Sequence, residues 1–285
     1  IAESPISCQV LWVGTDDGKV QVTRDGGTTW NDVSSGLPQY RWVSEVHASN
    51  HDVATAYVSL NGYRFDEFSS YIFKTTDYGA TWTSVTGDLP EDVVNVIVQD
   101  PVQPELLYAG LDHGSYVSLN DGQNWHLITQ IPNVASYDMI VHPRDMELVT
   151  ATHGRSIYVS DVTLFHELHA RIQEDITVFS IDDVRYSARW GNQSVAYRDA
   201  FEPNFEASFY VKPKNNQRLE WVTLEVMVSN EDGNVYTDEM RVREGLNTFR
   251  WNLFHEQTQE YLGKGSYTLT IKKGRSSHET TFEIK

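Results

Sequence analysis

One eight-residue box, written three times, constrains this chain more than any other feature in it. The copies are TRDGGTTW at 23–30, TTDYGATW at 75–82 and SLNDGQNW at 118–125. Their pattern is Thr-x-Asp-x-Gly-x-Thr-Trp, with Asn120 standing for Asp in the third copy. Asp25 and Asp77 lie 52 residues apart, and Asp77 and Asn120 lie 43 apart. Before each box runs a β-rich pair with a turn at Asp-Gly, Asn-Gly or His-Gly: LWVGTDDGKVQVT, AYVSLNGYRFDEFSSYIFKT and LLYAGLDHGSYVS. Apolar alternation around such turns predicts β-hairpins.

A fourth pair, LVTATHGRSIYVS, follows without a box. WVSEVHAS, VVNVIVQD and SYDMIVHP precede the later pairs and read as first strands, while WNDVSS, WTSVTG and WHLITQ supply last ones. Four short strands repeated at this period predict the blades of a β-propeller. The first unit has only IAESP where its first strand belongs, so the chain is expected to hold about four blades, the first incomplete. Propellers commonly close with four to eight complete blades. Further blades, from a longer chain or a partner protein, are therefore the expected neighbours. An open wedge would expose strand edges.

Within each box the Asp is expected to accept local backbone N–H bonds, and Gly27, Gly79 and Gly122 to allow positive φ. Trp30, Trp82 and Trp125 are expected to pack between neighbouring blades. This assigns the boxes, Asp25, Asp77 and Asn120 included, a structural role.

The boxes resemble the Asp-box, or BNR, repeats of sialidases, xyloglucanases and sortilin-type receptors. WVGTDDGKVQVTRDGGTTW, YIFKTTDYGATW and THGRSIYVSD resemble more narrowly a set of bacterial secreted proteins, sortilin-like or labelled glycosyl hydrolase. The resemblance covers most of residues 1–165 and extends weakly, through GLNTFRWNL and GKGSYTLTI, to the C-terminus. It implies an extracytoplasmic protein. The fourth unit lacks both the box Gly and the box Trp, which suggests a decaying final blade.

Beyond the blades, TLFHELHARIQ has helical spacing of Leu164, Phe165, Leu168 and Ile172, and 166–176 reads as a linker with a short helix. Residues 177–285 change rhythm. EASFYVKP, WVTLEVMVSNEDGNVY, NTFRWNL, GSYTLTIKKG and ETTFEIK predict an immunoglobulin-like β-sandwich with EDGN as a hairpin turn. The whole chain is thus expected to be all-β.

Charge narrows the partners. A formal net charge of −18 argues against nucleic acid, whose phosphates call for an excess of Lys and Arg. No apolar run reaches membrane-spanning length. The lone cysteine, Cys8, excludes an intrachain disulfide and is expected to be a small buried side chain.

Ligands of propellers usually meet the hairpins that join second and third strands. That face gathers Asp16 and Asp17, then Arg64, Asp66 and Glu67, then Asp112 and His113, then His153 and Arg155. The loop LNGYRFDEFSSY is the longest and the richest in charge, and long loops on rigid scaffolds commonly carry function. Arg64, Asp66, Glu67, His113, His153 and Arg155 are the candidate ligand-binding residues. Turn chemistry accounts equally for Asp17-Gly18, His113-Gly114 and His153-Gly154, and an inter-blade salt bridge would account for the Arg64 group.

Paired carboxylates could hydrolyse glycosides, but acidic residues are too common here to single out a pair. A sialidase arginine triad with a Tyr-Glu pair is not found. A xyloglucanase site needs two facing propellers. His166 and His169 could share a helical face with Glu167 between them, yet they lack HExxH spacing, and no metal or other cofactor is expected. No GxSxG elbow, P-loop or dinucleotide fingerprint occurs. The triplet Asn192-Gln193-Ser194 is a weak glycosylation signal. Three functions remain open: a binding or scaffold module for a protein, peptide or glycan; a piece of a glycoside hydrolase whose catalytic residues lie mostly elsewhere; or a structural subunit of a surface or secretion assembly.

Overall fold

The computed structural model describes residues 1–171, 173–193, 197, 199–214 and 219–285. Ile172 of the helical pattern and Ser194 of the glycosylation triplet lie outside the described residues. The chain divides into two compact units, Ile1–Ala170 and Arg171–Lys285.

Alternating apolar residues build the first unit as four antiparallel blades of a β-propeller. Blade 1 is β1 (Ala2–Glu3), β2 (Leu11–Gly14), β3 (Val20–Thr23) and β4 (Asn31–Asp32). Its first strand is present and is two residues long. Blade 2 is β5 (Trp42–Ala48), β6 (Ala56–Gly62), β7 (Glu67–Thr75) and β8 (Thr83–Ser84). Blade 3 is β9 (Val94–Gln99), β10 (Leu107–Leu111), β11 (Gly114–Ser118) and β12 (Trp125–Leu127). Blade 4 is β13 (Ser136–His142), β14 (Glu147–Thr152) and β15 (Ile157–Asp161), and stops at three strands. The unit that lacks a box also lacks the strand that a box turn would introduce.

The box turns explain themselves atom by atom. In box 1, Asp25 Oδ1 accepts from the Thr29 amide at 2.8 Å and Oδ2 from the Thr29 hydroxyl at 2.7 Å, while Gly27 N donates to Thr23 Oγ1 at 2.9 Å. Box 2 repeats this with Asp77, Thr81, Gly79 and Thr75 at 2.9, 2.7 and 2.9 Å. These hydrogen bonds, those from Thr29 first, hold the Asp25 carboxyl down at about 2. Box 3 keeps the loop with other atoms. Asn120 Oδ1 accepts from the Asn124 amide at 2.9 Å, and its Nδ2 donates to Asn124 Oδ1 at 3.1 Å. Donor and acceptor have exchanged places, so the change at 120 is matched at 124. Gly27, Gly79 and Gly122 have φ of 92°, 83° and 79°, as expected of a turn that excludes a side chain.

Blades stack through the box tryptophans. Trp125 is buried and donates from Nε1 to Val85 O at 3.2 Å. Trp82 donates to Val33 O at 2.7 Å and meets Trp12 edge-on at 6.3 Å. Trp30 departs from the expectation that it packs between blades: it is 38% exposed, because no blade stands before blade 1 among the described residues. At the other end a cross-strand row of Ile140, Val149 and Val159 leaves Ile140 and Val159 exposed, with Ile157 beside them. Cys8 is also exposed rather than buried, since it sits in the turn between β1 and β2, where Val10 N closes on Ser7 O at 3.0 Å.

Helix α1 (Thr163–Arg171) buries Phe165 and Leu168. Asp161 Oδ1 accepts from the Thr163 amide at 2.8 Å and so satisfies a donor at the start of the helix. His166 Nε2 lies 3.0 Å from Asp100 Oδ2, and His169 Nε2 lies 2.7 Å from Glu105 Oε2.

The second unit is a two-sheet sandwich. One sheet runs β16 (Ile176–Val178), β17 (Phe205–Val211) and β20 (Gly245–Trp251). The other runs in the order β19 (Gly233–Arg243), β18 (Trp221–Asn230), β23 (Gly265–Lys273) and β24 (Ser276–Ile284). A small hairpin, β21 (Phe254–His255) with β22 (Glu260–Tyr261), stands apart. Phe205, Phe209, Leu224, Val226, Leu269 and Phe282 are among the side chains that close the core between the sheets. Consecutive strands pair within a sheet at β16–β17, β18–β19 and β23–β24, and the chain crosses between the sheets from β17 to β18, from β19 to β20 and from β20 to β23. Asn230 Oδ1 accepts from the amides of Asp232 and Gly233, so the EDGN stretch forms the hairpin turn expected of it.

Candidate functional site

The hairpins between second and third strands and the loops leading into each next blade share one rim. A bulge on the inner strand of blades 2, 3 and 4 re-aims one residue there: Ser44, Asn95 and Tyr137. Ser44 Oγ donates to Val94 O at 2.8 Å and Asn95 Nδ2 to Asp112 Oδ1 at 2.8 Å. Tyr137 instead stays exposed and meets His153 edge-on at 5.3 Å.

The blade 2 loop is ordered by a 3-10 turn over Tyr63–Phe65, with Asp66 in the left-handed region at φ 54°. Glu67 is tied down. Its Oε2 accepts from Arg41 Nε at 2.7 Å and its Oε1 from the Tyr71 hydroxyl at 2.9 Å. Burial would raise this carboxyl, but hydrogen bonds from Ser69, Arg41 and Tyr71 prevail and hold it below the usual carboxylate range. Arg64 lies over the Trp42 ring at 4.7 Å, and Arg41 lies 5.6 Å from the centroid of Phe65. The loop thus spends Glu67 on structure and leaves Asp66 and the rings outward.

His113 is bound to Asp92, with its amide donating to Oδ2 at 2.9 Å and Nδ1 lying 3.1 Å from Oδ1. That bond, more than the Coulomb attraction beside it, raises the imidazole pKa. Asp16 and Asp17 are exposed on the blade 1 hairpin, where Asp17 accepts from the Thr15 hydroxyl. A groove of about 500 Å³ runs from Asp17 past Lys19 and Asp32 to Leu37 and Tyr40. Arg155 is exposed on blade 4, and its carbonyl accepts from the Tyr158 hydroxyl at 3.1 Å. Arg64 and Glu67 therefore belong to one cluster, while His113 and His153 each answer to a different neighbour.

The expectation of charged loop residues overlooked the rings beside them. Tyr40, Tyr63, Phe65, Phe68 and Tyr137 are all exposed on this rim. Burial, then Asp112 and Tyr63, push the Tyr137 phenol up, so Tyr137 lies within electrostatic reach of the blade 2 and blade 3 loops. The signal was present in GYRFDEF, where three aromatic residues occupy a turn region that ordinarily favours small polar ones.

Two inner-strand groups were also missed. The Glu45 carboxyl on β5 is pushed up to about 7, chiefly by burial; the chain's amino terminus opposes the rise and Asp138 adds to it. Burial alone pulls the His47 imidazole down to about 4, and its Nε2 has no hydrogen-bond partner among the described residues.

No cluster of three or more metal-ligating side chains occurs among the described residues. His166 and His169 are engaged by Asp100 and Glu105, with Gln103 Nε2 3.3 Å from His169 Nδ1. No helix among the described residues is long and apolar enough to cross a membrane.

Solved structures align with this chain at low identity. PorZ, a bacterial surface component of the type-IX secretion system of Porphyromonas gingivalis, is 12% identical over 96% of this chain and 36% of its own, with a TM-score of 0.42. The GH74 xyloglucanase of Xanthomonas campestris is 13% identical over 85% of this chain and 36% of its own, at 0.44. YCF48 from Cyanidioschyzon merolae is 14% identical over 98% of this chain and 93% of its own, at 0.39. This chain therefore spans about a third of the length of the first two. No family model matches the chain, and no curated protein matches it.

Proposed function

We propose that this chain is a binding or scaffold module that holds a protein, peptide or glycan against the aromatic rim of its propeller. The observation that carries this reading is the run of exposed rings, Tyr40, Tyr63, Phe65, Phe68 and Tyr137, on the rim that also presents Arg64. Exposed aromatic faces stack on sugars and on peptide side chains, and a nearby guanidinium adds orientation. An extracytoplasmic location goes with this reading and is supported by the resemblance of the boxes to secreted repeat proteins. Asp66, His113, His153 and Arg155 are the polar groups proposed to flank the ligand.

Arrays of neutral and acidic oligosaccharides and of unstructured peptides, probed with the intact chain, test the reading. One class should bind, and Phe65→Ala and Arg64→Ala should each weaken that binding with the melting temperature held. Unchanged binding in both variants, or silence across both arrays, overturns it.

A second reading, a piece of a glycoside hydrolase, is favoured by Glu45 alone. A carboxyl pushed up to about 7, with the Asp138 carboxyl within electrostatic reach, has the electrostatics of a general acid. Hydrolysis of a polysaccharide by the intact protein, abolished in Glu45→Gln, would support it; activity unchanged in that variant would remove it.

A further inference from the structure

The outer face of the four-stranded sheet in the sandwich gathers two arginines on one tryptophan. Strand β18 opens with Trp221, whose partner across the ladder is Arg243, and Thr223 stands opposite Arg241. Val222 and Val242, between them, turn inward to the core. Trp221, Thr223, Arg241 and Arg243 therefore share the outward face, since successive side chains of a strand alternate. Trp221 is 58% exposed, and both arginines are exposed. Cζ of Arg241 and of Arg243 lie over the Trp221 ring, 5.3 and 5.8 Å from its centroid.

Three arginines elsewhere in this chain of net charge −18 hold a carboxylate: Arg41 and Arg144 at 2.7 Å and Arg250 at 2.9 Å. Arg241 and Arg243 form no ion pair among the described residues, although Glu239 stands next on the same face with Glu225 opposite it. Alternate residues of a strand are about 7 Å apart, so the two cations repel each other. A cross-strand cation–π contact would be served by one arginine, and charged side chains on β19 would blunt an edge strand. Neither purpose calls for two guanidinia on one ring that is itself left more than half in solvent. A guanidinium held over an aromatic face keeps its N–H fork free for an oxyanion.

We infer that Trp221, Arg241 and Arg243 form a binding site for an acidic glycan, a chain of sugars bearing carboxylate or sulfate groups. One acidic sugar carries both complements on a single rigid ring: an apolar C–H face for the exposed part of the indole and an anion for the two guanidinia. The Thr223 hydroxyl, beside Arg241 on the same face, adds a partner for sugar oxygens. An acidic peptide would meet the same charges, but it must supply the acid and the apolar face from separate side chains, each ordered at an entropic cost. The site lies in the second unit and uses no residue of the aromatic rim, so it stands or falls apart from the binding proposed there.

The test titrates the intact 285-residue chain by calorimetry with polygalacturonate, dextran sulfate, neutral dextran and polyglutamate. At least one acidic glycan should bind, more weakly as salt is raised, and neutral dextran should not. Arg241→Ala combined with Arg243→Ala should weaken that binding at least about tenfold, because charge-assisted hydrogen bonds are lost. Trp221→Ala should weaken it as well, with each variant's melting temperature confirming that it is folded. Arg241→Lys combined with Arg243→Lys, which keeps the charge, should retain only part of the affinity, since an ammonium lacks the guanidinium fork. The inference is overturned if neither acidic glycan binds, if the double alanine variant or Trp221→Ala binds as the parent does, or if polyglutamate binds as tightly as the glycans.

Discussion

Box 3 and box 1 have the same shape and different surroundings. Trp125 lies buried between blades 2 and 3, whereas Trp30 shows over a third of its surface to solvent. Each box closes its own turn with bonds among residues no more than four apart. The difference teaches that the box is a local device for making the turn and a non-local one for joining blades. Only the second role depends on having a neighbour.

Truncating the two tryptophans should break the symmetry most strongly. Trp125→Ala should cost about 3–5 kcal/mol, as for a large buried aromatic, whereas Trp30→Ala in the same chain should stay within about 0.5 kcal/mol. Urea denaturation of both variants checks this, and equal losses would mean that Trp30 is already packed in solution. The glycines sharpen the contrast. Gly27→Ala makes only ordinary contact, with the Trp30 ring at 3.9 Å, and should cost about 1–2 kcal/mol from its left-handed backbone alone, while Gly122→Ala adds a collision with Val85 O and should cost more. Matching midpoints for the two would place the inter-blade contact elsewhere.

Acid titration probes the inner strand between these boxes. The folded-state pKa of Glu45 is raised from 4.5 to about 7, so its contribution to stability is full below pH 4.5 and is lost as pH rises through 7. His47 is depressed from 6.5 to about 4, so its contribution is full above pH 6.5 and is lost as pH falls through 4. The two slopes oppose each other where their windows overlap. Glu45→Gln should raise stability above pH 7 by about 1–3 kcal/mol, and should steepen the acid loss below pH 6.5 by leaving His47 unopposed. An unchanged pH profile in melting experiments would show that Glu45 is solvated.

The smallest expected effect lies inside box 3. Asn120→Asp removes the donor that Nδ2 offers to Asn124 Oδ1 and should cost about 0.5–1.5 kcal/mol. Adding Asn124→Thr should recover most of it by restoring the bonding of box 2. If the double change is no better than the single one, the two positions are not coupled.

These cases also mark what could be read from the residues. The blades were legible because hairpin turns, strand alternation and box hydrogen bonds act between near neighbours in sequence. Missing from blade 4 are both the box and the strand after it, so the loss too was visible. The candidate site was legible in part. The loop carrying Arg64, Asp66 and Glu67 stood out by its length, but its charges could not reveal that Glu67 is held by Arg41, on another loop. The exposed rings passed unnoticed because an aromatic residue in a sequence does not say whether a neighbour will cover it.

By itself, then, the sequence determined the repeat, its four-strand rhythm, the left-handed glycines and the change to a sandwich after the helix. Short-range sterics and hydrogen bonding decide all of these. Only the tertiary structure decided that Trp125 is buried and Trp30 is not, that Cys8 faces solvent, that Glu45 and His47 are shifted in opposite directions, and that five aromatic rings share one rim. Each of those depends on which distant segments arrive beside the residue and exclude water from it, and exclusion of water is a property of the assembled neighbourhood.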